Sequence, residues 1–177
     1  MSNVIHLVGG GMFDFNYPER SVYSITDIAR NLSHLCRFTG SVKTLYSVAQ
    51  HSWYVSMLLE KWGHPELAME GLLHDSSEAF LGDVASPLKQ MLPEYKKIEH
   101  KCEKAIFEKY ELEFPMDRIT KDADNAVFVA ERQQLQPLCP QDFGGIEAAP
   151  FKIVPWNSQK AEKEFMKRFV ELGGEIK

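Results

Sequence analysis

Between His74 and Asp83 the sequence places four ionisable side chains, His74, Asp75, Glu78 and Asp83, in ten positions at the end of an apolar run. If this stretch is helical, Glu78 lies one turn after His74 and Asp75, and all three can lean toward one patch. Adjacent helical residues point about 100° apart. His74 and Asp75 can therefore share an ion only in the groove between their helix and its neighbours. Such a concentration of charge at the end of an apolar helix is costly unless the groups are paired or metal-bound. The missing partners must come from elsewhere in the chain.

Two further candidates sit where helices should meet the interior: His51, at the edge of an apolar stripe, and Asp124, with Asp122 as its competitor before the same apolar run. Two imidazoles and two carboxylates suit a borderline or hard divalent cation. Four such ligands leave room on a six-coordinate ion for water, whose pKa the ion can lower to about 7. Spacing alone leaves His51 and Asp124 open. His6, His34, His64 and His100 read as ordinary hydrogen-bonded residues.

The elements that must position these groups are helices. Thr26 offers an N-cap to a first helix with Ile28, Leu32 and Leu35 at helical spacing, running to Cys36. A second spans Val48 to Trp62 and carries His51; a third starts at Pro65 and runs through the His74 stretch to Gly82. Ser86-Pro87 opens a short turn of helix, and Pro93 a long one with Ile98, Cys102, Ala105, Ile106 and Lys109 on one face. Another follows Asp117 to Leu135, and Ser158 caps a last one with Phe165, Phe169 and Leu172. Residues 1–23, with a Gly9-Gly10-Gly11 run, read as an extended or hairpin-like lead-in and lack the lysine ending of a phosphate loop. The expectation is a compact all-α bundle of six to seven helices in one domain: lead-in 1–23, motif-bearing core 24–135, loop 136–157 with one short strand near Ile153, and C-terminal helix 158–174.

A chain of 177 residues with 44% hydrophobic and 25% charged residues can bury a core without disulfides. Cys36, Cys102 and Cys139 form no Cys-x-x-Cys pair and suit a reducing compartment. A net charge of -5 argues against a footprint for duplex nucleic acid or an anionic membrane. With no basic segment leading into an apolar run, and no apolar stretch of about 18 residues, the expected location is the cytoplasm.

The set His51…His74-Asp75…Asp124 resembles the H…HD…D signature of the HD-domain phosphohydrolase superfamily. Gln50-His51-Ser52, His74-Asp75-Ser76-Ser77-Glu78, Gly82-Asp83-Val84-Ala85-Ser86-Pro87-Leu88-Lys89 and Lys121-Asp122-Ala123-Asp124 resemble the branch of bacterial deoxyribonucleoside 5′-monophosphatases. Tyr46-Ser47-Val48-Ala49-Gln50-His51-Ser52 and Ala130-Glu131-Arg132 are similar to short phage-type HD hydrolases, a group that includes a dATP triphosphohydrolase. The resemblance covers about residues 24–135. It implies that His51, His74, Asp75 and Asp124 hold one divalent metal ion (Zn, Co, Mn or Mg), with a second, substrate-associated divalent ion able to join. It implies that Glu78 orients or deprotonates the attacking water, and that Asp83 contacts the sugar or acts as a second acid or base. Arg37 and Lys89 would neutralise phosphate, and Phe38 falls in the Arg-aromatic pair.

The substrate implied is a deoxynucleotide, with release of triphosphate from dATP the preferred outcome and loss of phosphate from a monophosphate the alternative. A non-catalytic nucleotide-binding module is the second alternative. Arg20, Lys43, Lys121 and Arg132 are candidates for extra phosphate charge, while Phe13, Phe15, Tyr17, Tyr23 and Phe38 are candidates to stack on a base. Relatives of this kind are commonly oligomers, so a homo-oligomer, a dimer or a hexamer, is expected.

Overall fold

The computed structural model describes residues 3–140 and 142–176. The lead-in folds as an antiparallel hairpin in which β1 (Val4–His6) pairs with β2 (Met12–Asp14), Ile5 opposite Phe13. The chain reverses through Gly10, whose φ of 84° lies in the left-handed region that glycine enters without a Cβ clash. Phe13 is buried and stacks on Phe80 with ring centroids 4.0 Å apart, which ties the hairpin to the bundle.

All the expected helices are present. They are α1 (Ile25–His34), α2 (Val48–Lys61), α3 (Ala68–Leu73), α4 (Glu78–Leu81), α5 (Ser86–Met91), α6 (Pro93–Lys109), α7 (Arg118–Leu135) and α8 (Ser158–Glu171). The third expected helix is in two pieces, α3 and α4. Between them Ser76 and Glu78 donate backbone hydrogen bonds to the residues three before them, Leu73 and Asp75 (2.9 and 3.0 Å). This is the tighter pitch of a 3₁₀ turn, which rotates His74 and Asp75 relative to a regular helix.

The caps correct two boundaries. Ser24, not Thr26, caps α1: its hydroxyl accepts from the Asp27 amide while the Asp27 carboxylate accepts from the Ser24 amide (2.9 Å), a reciprocal capping box. Asn157, not Ser158, caps α8 and accepts from the Lys160 amide at 2.8 Å. The strand expected near Ile153 does not form. That segment is held by side chains instead: Gln134 accepts from the Ile153 amide (2.9 Å), and Gln50 bonds the Val154 carbonyl (2.8 Å) and Trp156 amide (2.9 Å). On α6 only the C-terminal half meets the core, so Ile98 is exposed and Phe107 is buried beside Cys102 and Ile106.

Helix α2 is central, packing against α1, α3, α7 and α8. Val48 and Ala49 join one apolar cluster with α1, α3 and α8; Val55, Leu58 and Leu59 join another with Ala123, Ala126, Val127 and Ala130 of α7. Gly71 lets α3 approach α2 closely, since a Cβ there would sit 2.4 Å from Leu59 Cδ1 and 3.3 Å from the Ser56 backbone. That close crossing sets His74 of one element against His51 of the other, with ring centroids 5.2 Å apart. No helix among the described residues is long and apolar enough to cross a membrane.

Ser24→Ala removes one half of the α1 capping box and should cost about 1 kcal/mol. In a chain of this size that is a fall of about 2–4 °C in Tm; an unchanged melting curve would show that α1 does not depend on this cap.

Candidate metal centre

The first metal candidate, His51, is fully buried one turn into α2, beside the Ser47 cap that accepts from the Gln50 amide. Its Nδ1 lies 2.7 Å from Glu131 Oε1. A carboxylate only accepts, so Nδ1 carries a proton, and Nε2 is the atom whose lone pair an ion can take once the ring is neutral. His74 is set the same way by a different group: its Nδ1 donates to the Gly71 carbonyl at 2.9 Å. Both Nε2 atoms are buried and neither has a hydrogen-bond partner.

What they face is carboxylate oxygen. His51 Nε2 lies 3.0 Å from Asp124 Oδ1 and 3.7 Å from Asp75 Oδ2; His74 Nε2 lies 3.2 Å from Asp75 Oδ2 and 3.8 Å from Asp124 Oδ1. The two shortest approaches are within hydrogen-bonding distance, but neither has the geometry of a hydrogen bond. Ligands held about 2.1 Å from one ion at angles of 90–109° stand about 3.0–3.4 Å apart. Two of the four separations, 3.0 and 3.2 Å, fall in that range, and the other two, 3.7 and 3.8 Å, lie just beyond it. His51, His74 and Asp124 thus form a group that could bind a metal ion, and Asp75 borders it. Asp122 points the other way, with its side chain 58% exposed and 3.9 Å from Arg118, so α7 presents Asp124 to the interior as expected.

Glu131 is the residue that sequence reasoning missed. It lies seven positions after Asp124, two turns along the same face of α7, and is completely buried. Besides His51 it accepts from Tyr46 Oη (2.7 Å) and Arg37 Nε (3.1 Å). Burial raises its pKa, but Arg37, His51 and the hydrogen bonds pull it below the ordinary glutamate value, so it stays ionised. Arg37 reaches further, with Nη1 3.5 Å from Asp75 Oδ2. Burial opposes its charge, and Glu131, Asp75 and Asp124 more than restore it. The backbone places Arg37 there: its amide bonds the Tyr46 carbonyl (2.8 Å) while the Val48 amide bonds the Leu35 carbonyl (3.0 Å), stitching the end of α1 to the start of α2.

The electrostatics follow from this packing. Burial and the Arg37 charge lower the His51 pKa, but Glu131 and Asp124 raise it further, to about 9. Burial would raise Asp75 and Asp124, yet the two imidazoles hold both well below the usual carboxylate range. Glu78 goes the other way. Burial first, then the charges of Asp75 and Asp83, push its pKa well up against the pull of Lys89 and Arg37. Its Oε1 lies 3.2 Å from Lys89 Nζ, whereas its Oε2 is a buried oxygen with no partner. Asp83 is likewise raised, by burial and Asp75, against Arg37. Lys89 is shared between Glu78 and Glu99 of α6, the latter at 2.6 Å. Lys121 Nζ lies 2.6 Å from Asp124 Oδ2 at the exposed edge.

Two of the expected substrate contacts are engaged with other parts of the chain. Tyr23 is buried in the aromatic core against Phe13 and Phe80, with Lys109 over its ring (3.6 Å), because the hairpin carries it inward. Arg132 stands about 100° around α7 from Glu131, and its guanidinium is taken up by Gln136 (2.6 Å) and the Pro140 carbonyl (3.2 Å). Phe38 is brought to the rim, its ring centroid 5.5 Å from the Arg37 guanidinium carbon.

No family model matches the chain. Among curated proteins it is 36% identical over 172 residues to the uncharacterized protein YfdR of Escherichia coli (strain K12), covering 95% of this chain and 94% of that protein. The chain belongs to the family of that protein. It is also 28% identical over 140 residues to an uncharacterized protein of Rhodobacter capsulatus, covering 73% of this chain and 71% of the relative.

Glu131→Gln keeps the shape but not the charge behind His51. Partners of this kind are worth about 10–100-fold in metal affinity, and that loss should appear in Mn²⁺ or Co²⁺ titrations with the helical circular dichroism unchanged. Unaltered affinity would make Glu131 a purely structural residue. A pH dependence follows from His51. Its folded pKa of about 9 exceeds an unfolded value of about 6.5, so the imidazolium stabilises the metal-free protein fully below about pH 6.5 and progressively less as pH rises to about 9. An ion needs the neutral imidazole. The rise in Tm on adding metal should therefore grow between about pH 6.5 and 9; a constant rise would contradict the assignment of His51.

Proposed function

We propose that this chain is a metal-dependent deoxynucleotide phosphohydrolase of the HD-domain type, acting on dATP or a similar deoxynucleoside triphosphate. The observation that carries the reading is the pair of buried, partnerless Nε2 atoms on His51 and His74, facing Asp75 and Asp124, with Glu78 and two cations beside them. A structural tetrahedral ion would need only the four ligands. The additional carboxyls of Glu78 and Asp83 and the charges of Arg37 and Lys89 suit a reaction on an anionic phosphate.

When bound there, a divalent ion would neutralise phosphate charge, acidify a water and draw the raised pKa of Glu78 back down. The protein's own groups account for the rest. Glu78 Oε2 has no partner and takes the proton of the attacking water. The water oxygen bonds to the α-phosphorus as the bond from phosphorus to O5′ breaks, releasing triphosphate. The proton reaches O5′ of the departing deoxynucleoside through Asp83, whose pKa is raised by burial and by Asp75. Arg37, held by Glu131 and Asp75, presents a planar guanidinium to phosphate oxygens. Lys89 keeps Glu78 in place and adds a second positive charge, and Lys121 provides a third at the edge for the outer phosphates. The reading carries with it a cytoplasmic homo-oligomer that does not bind duplex nucleic acid.

Incubation with each dNTP and dNMP in the presence of Mn²⁺, Co²⁺, Zn²⁺ or Mg²⁺, with products separated by chromatography, tests this directly. Triphosphate and deoxynucleoside from dATP are expected. Orthophosphate from a dNMP would shift the reading to a monophosphatase, and no release at all would leave a nucleotide-binding module. Glu78→Ala should bind metal like the parent and lose most turnover, about 10²–10⁴-fold for a positioned acid–base group; loss of the metal instead would place Glu78 among the ligands.

A further inference from the structure

Three aromatic rings lead away from the metal centre across α7. Phe38 follows Arg37 directly, Phe128 lies on α7 one turn after Asp124, and Phe143 comes from the loop before α8. The ring centroids of Phe38 and Phe128 are 6.0 Å apart and tilted by 39°, and Phe143 meets Phe128 edge-on at 6.4 Å. Phe128 is 37% exposed although it stands beside one of the most buried stretches of α7. Phe38 has a φ of 57°, with Thr39 at 51° and Gly40 at 79°. A bulky side chain is rarely held in the left-handed region, and such strain collects where a side chain must be aimed. Here the Phe38 ring neighbours both the Arg37 guanidinium and the Phe128 ring.

From this geometry we infer that Phe128 and Phe143 extend Phe38 into a stacking platform that takes the aromatic base of the substrate. The inference rests on the proposed action on a deoxynucleotide and names the residues that recognise its non-phosphate end. Asp124 and Phe128 are successive turns of one helical face, so a ligand lying along α7 meets charge at one residue and an apolar ring at the next. Arg37 stands between the two regions, 3.5 Å from Asp75 and beside Phe38. A molecule that fits this layout is anionic at one end and flat and aromatic at the other. Phe143 stands perpendicular to Phe128, which keeps over a third of its surface open to a base. The loop that carries Phe143 is fixed to α7 through Arg132 and the Pro140 carbonyl. Base–aromatic stacking tolerates any base, so the platform supplies affinity for a nucleotide over a bare phosphate chain.

Calorimetric titration of dATP and of inorganic tripolyphosphate, each with Mn²⁺ and in the Glu78→Gln background so that the ligand survives, separates the two ends. Phe128→Ala and Phe143→Ala should weaken dATP binding about 5- to 100-fold and leave tripolyphosphate unchanged, while Phe128→Tyr, which keeps the ring, should bind both as the parent does. Unchanged dATP binding in Phe128→Ala, or equal weakening of both ligands, would overturn the platform. A parent that bound tripolyphosphate but not dATP would overturn the platform alone. A parent that bound neither would overturn the nucleotide reading, and the platform with it.

Discussion

The constraint on which the rest depends is the burial of a charged carboxylate, Glu131, where α7 passes α2. An unpaired ion in that position would cost several kcal/mol. It is tolerated because three donors from two other parts of the chain, Arg37, Tyr46 and His51, close around it. That one cluster fixes the tautomer of His51 and draws a second cation, Arg37, to the edge of Asp75. It also ties the link between α1 and α2 to α7. The carboxylates Asp75 and Asp124 then stand opposite imidazole nitrogens with no other use. Charge is admitted to this interior only in company, and the company is arranged about a single point.

The second condition is steric. Gly71 allows α3 to lie close against α2, and the 3₁₀ turn after Leu73 swings His74 and Asp75 toward α2 and α7. Adjacent residues stand about 100° apart in a regular helix and about 120° apart in a 3₁₀ turn, so His74 and Asp75 approach one point from separate directions, Nε2 to Oδ2 at 3.2 Å. The tighter turn also releases Glu78 to begin a separate short helix, where it meets Lys89 of α5. The same feature therefore separates the ligands from the group proposed to act on water.

Much of this was legible before the fold was known, and what was not has physical reasons. The helices were readable because apolar residues recur at their period, as in Val55, Leu58 and Leu59 or Ala123, Ala126 and Val127. His74 and Asp75 stood out because ionisable groups rarely follow a run such as Leu72-Leu73 without a task. Glu131 did not stand out, because α7 carries many charges and only the three-dimensional register shows which one points inward. The break at 74–77 contains no proline or glycine to announce it; it is imposed by packing. Two hydroxyls flank the start of α1, and the pairing of Ser24 with Asp27 three residues on distinguishes the true cap. Residue type does not tell a ring that stacks on a base from one in the core, and the hairpin that buries Tyr23 is a tertiary feature.

The claim that side chains distant in sequence grip one divalent ion is tested most directly by loading the protein with Mn²⁺, Co²⁺ or Zn²⁺, counting ions per chain and recording metal-edge X-ray absorption. The account predicts one tightly held ion per chain with two imidazoles among its nearest neighbours, and loss of one imidazole signal in His51→Ala. A spectrum showing only oxygen neighbours, or one unchanged by that substitution, would contradict it.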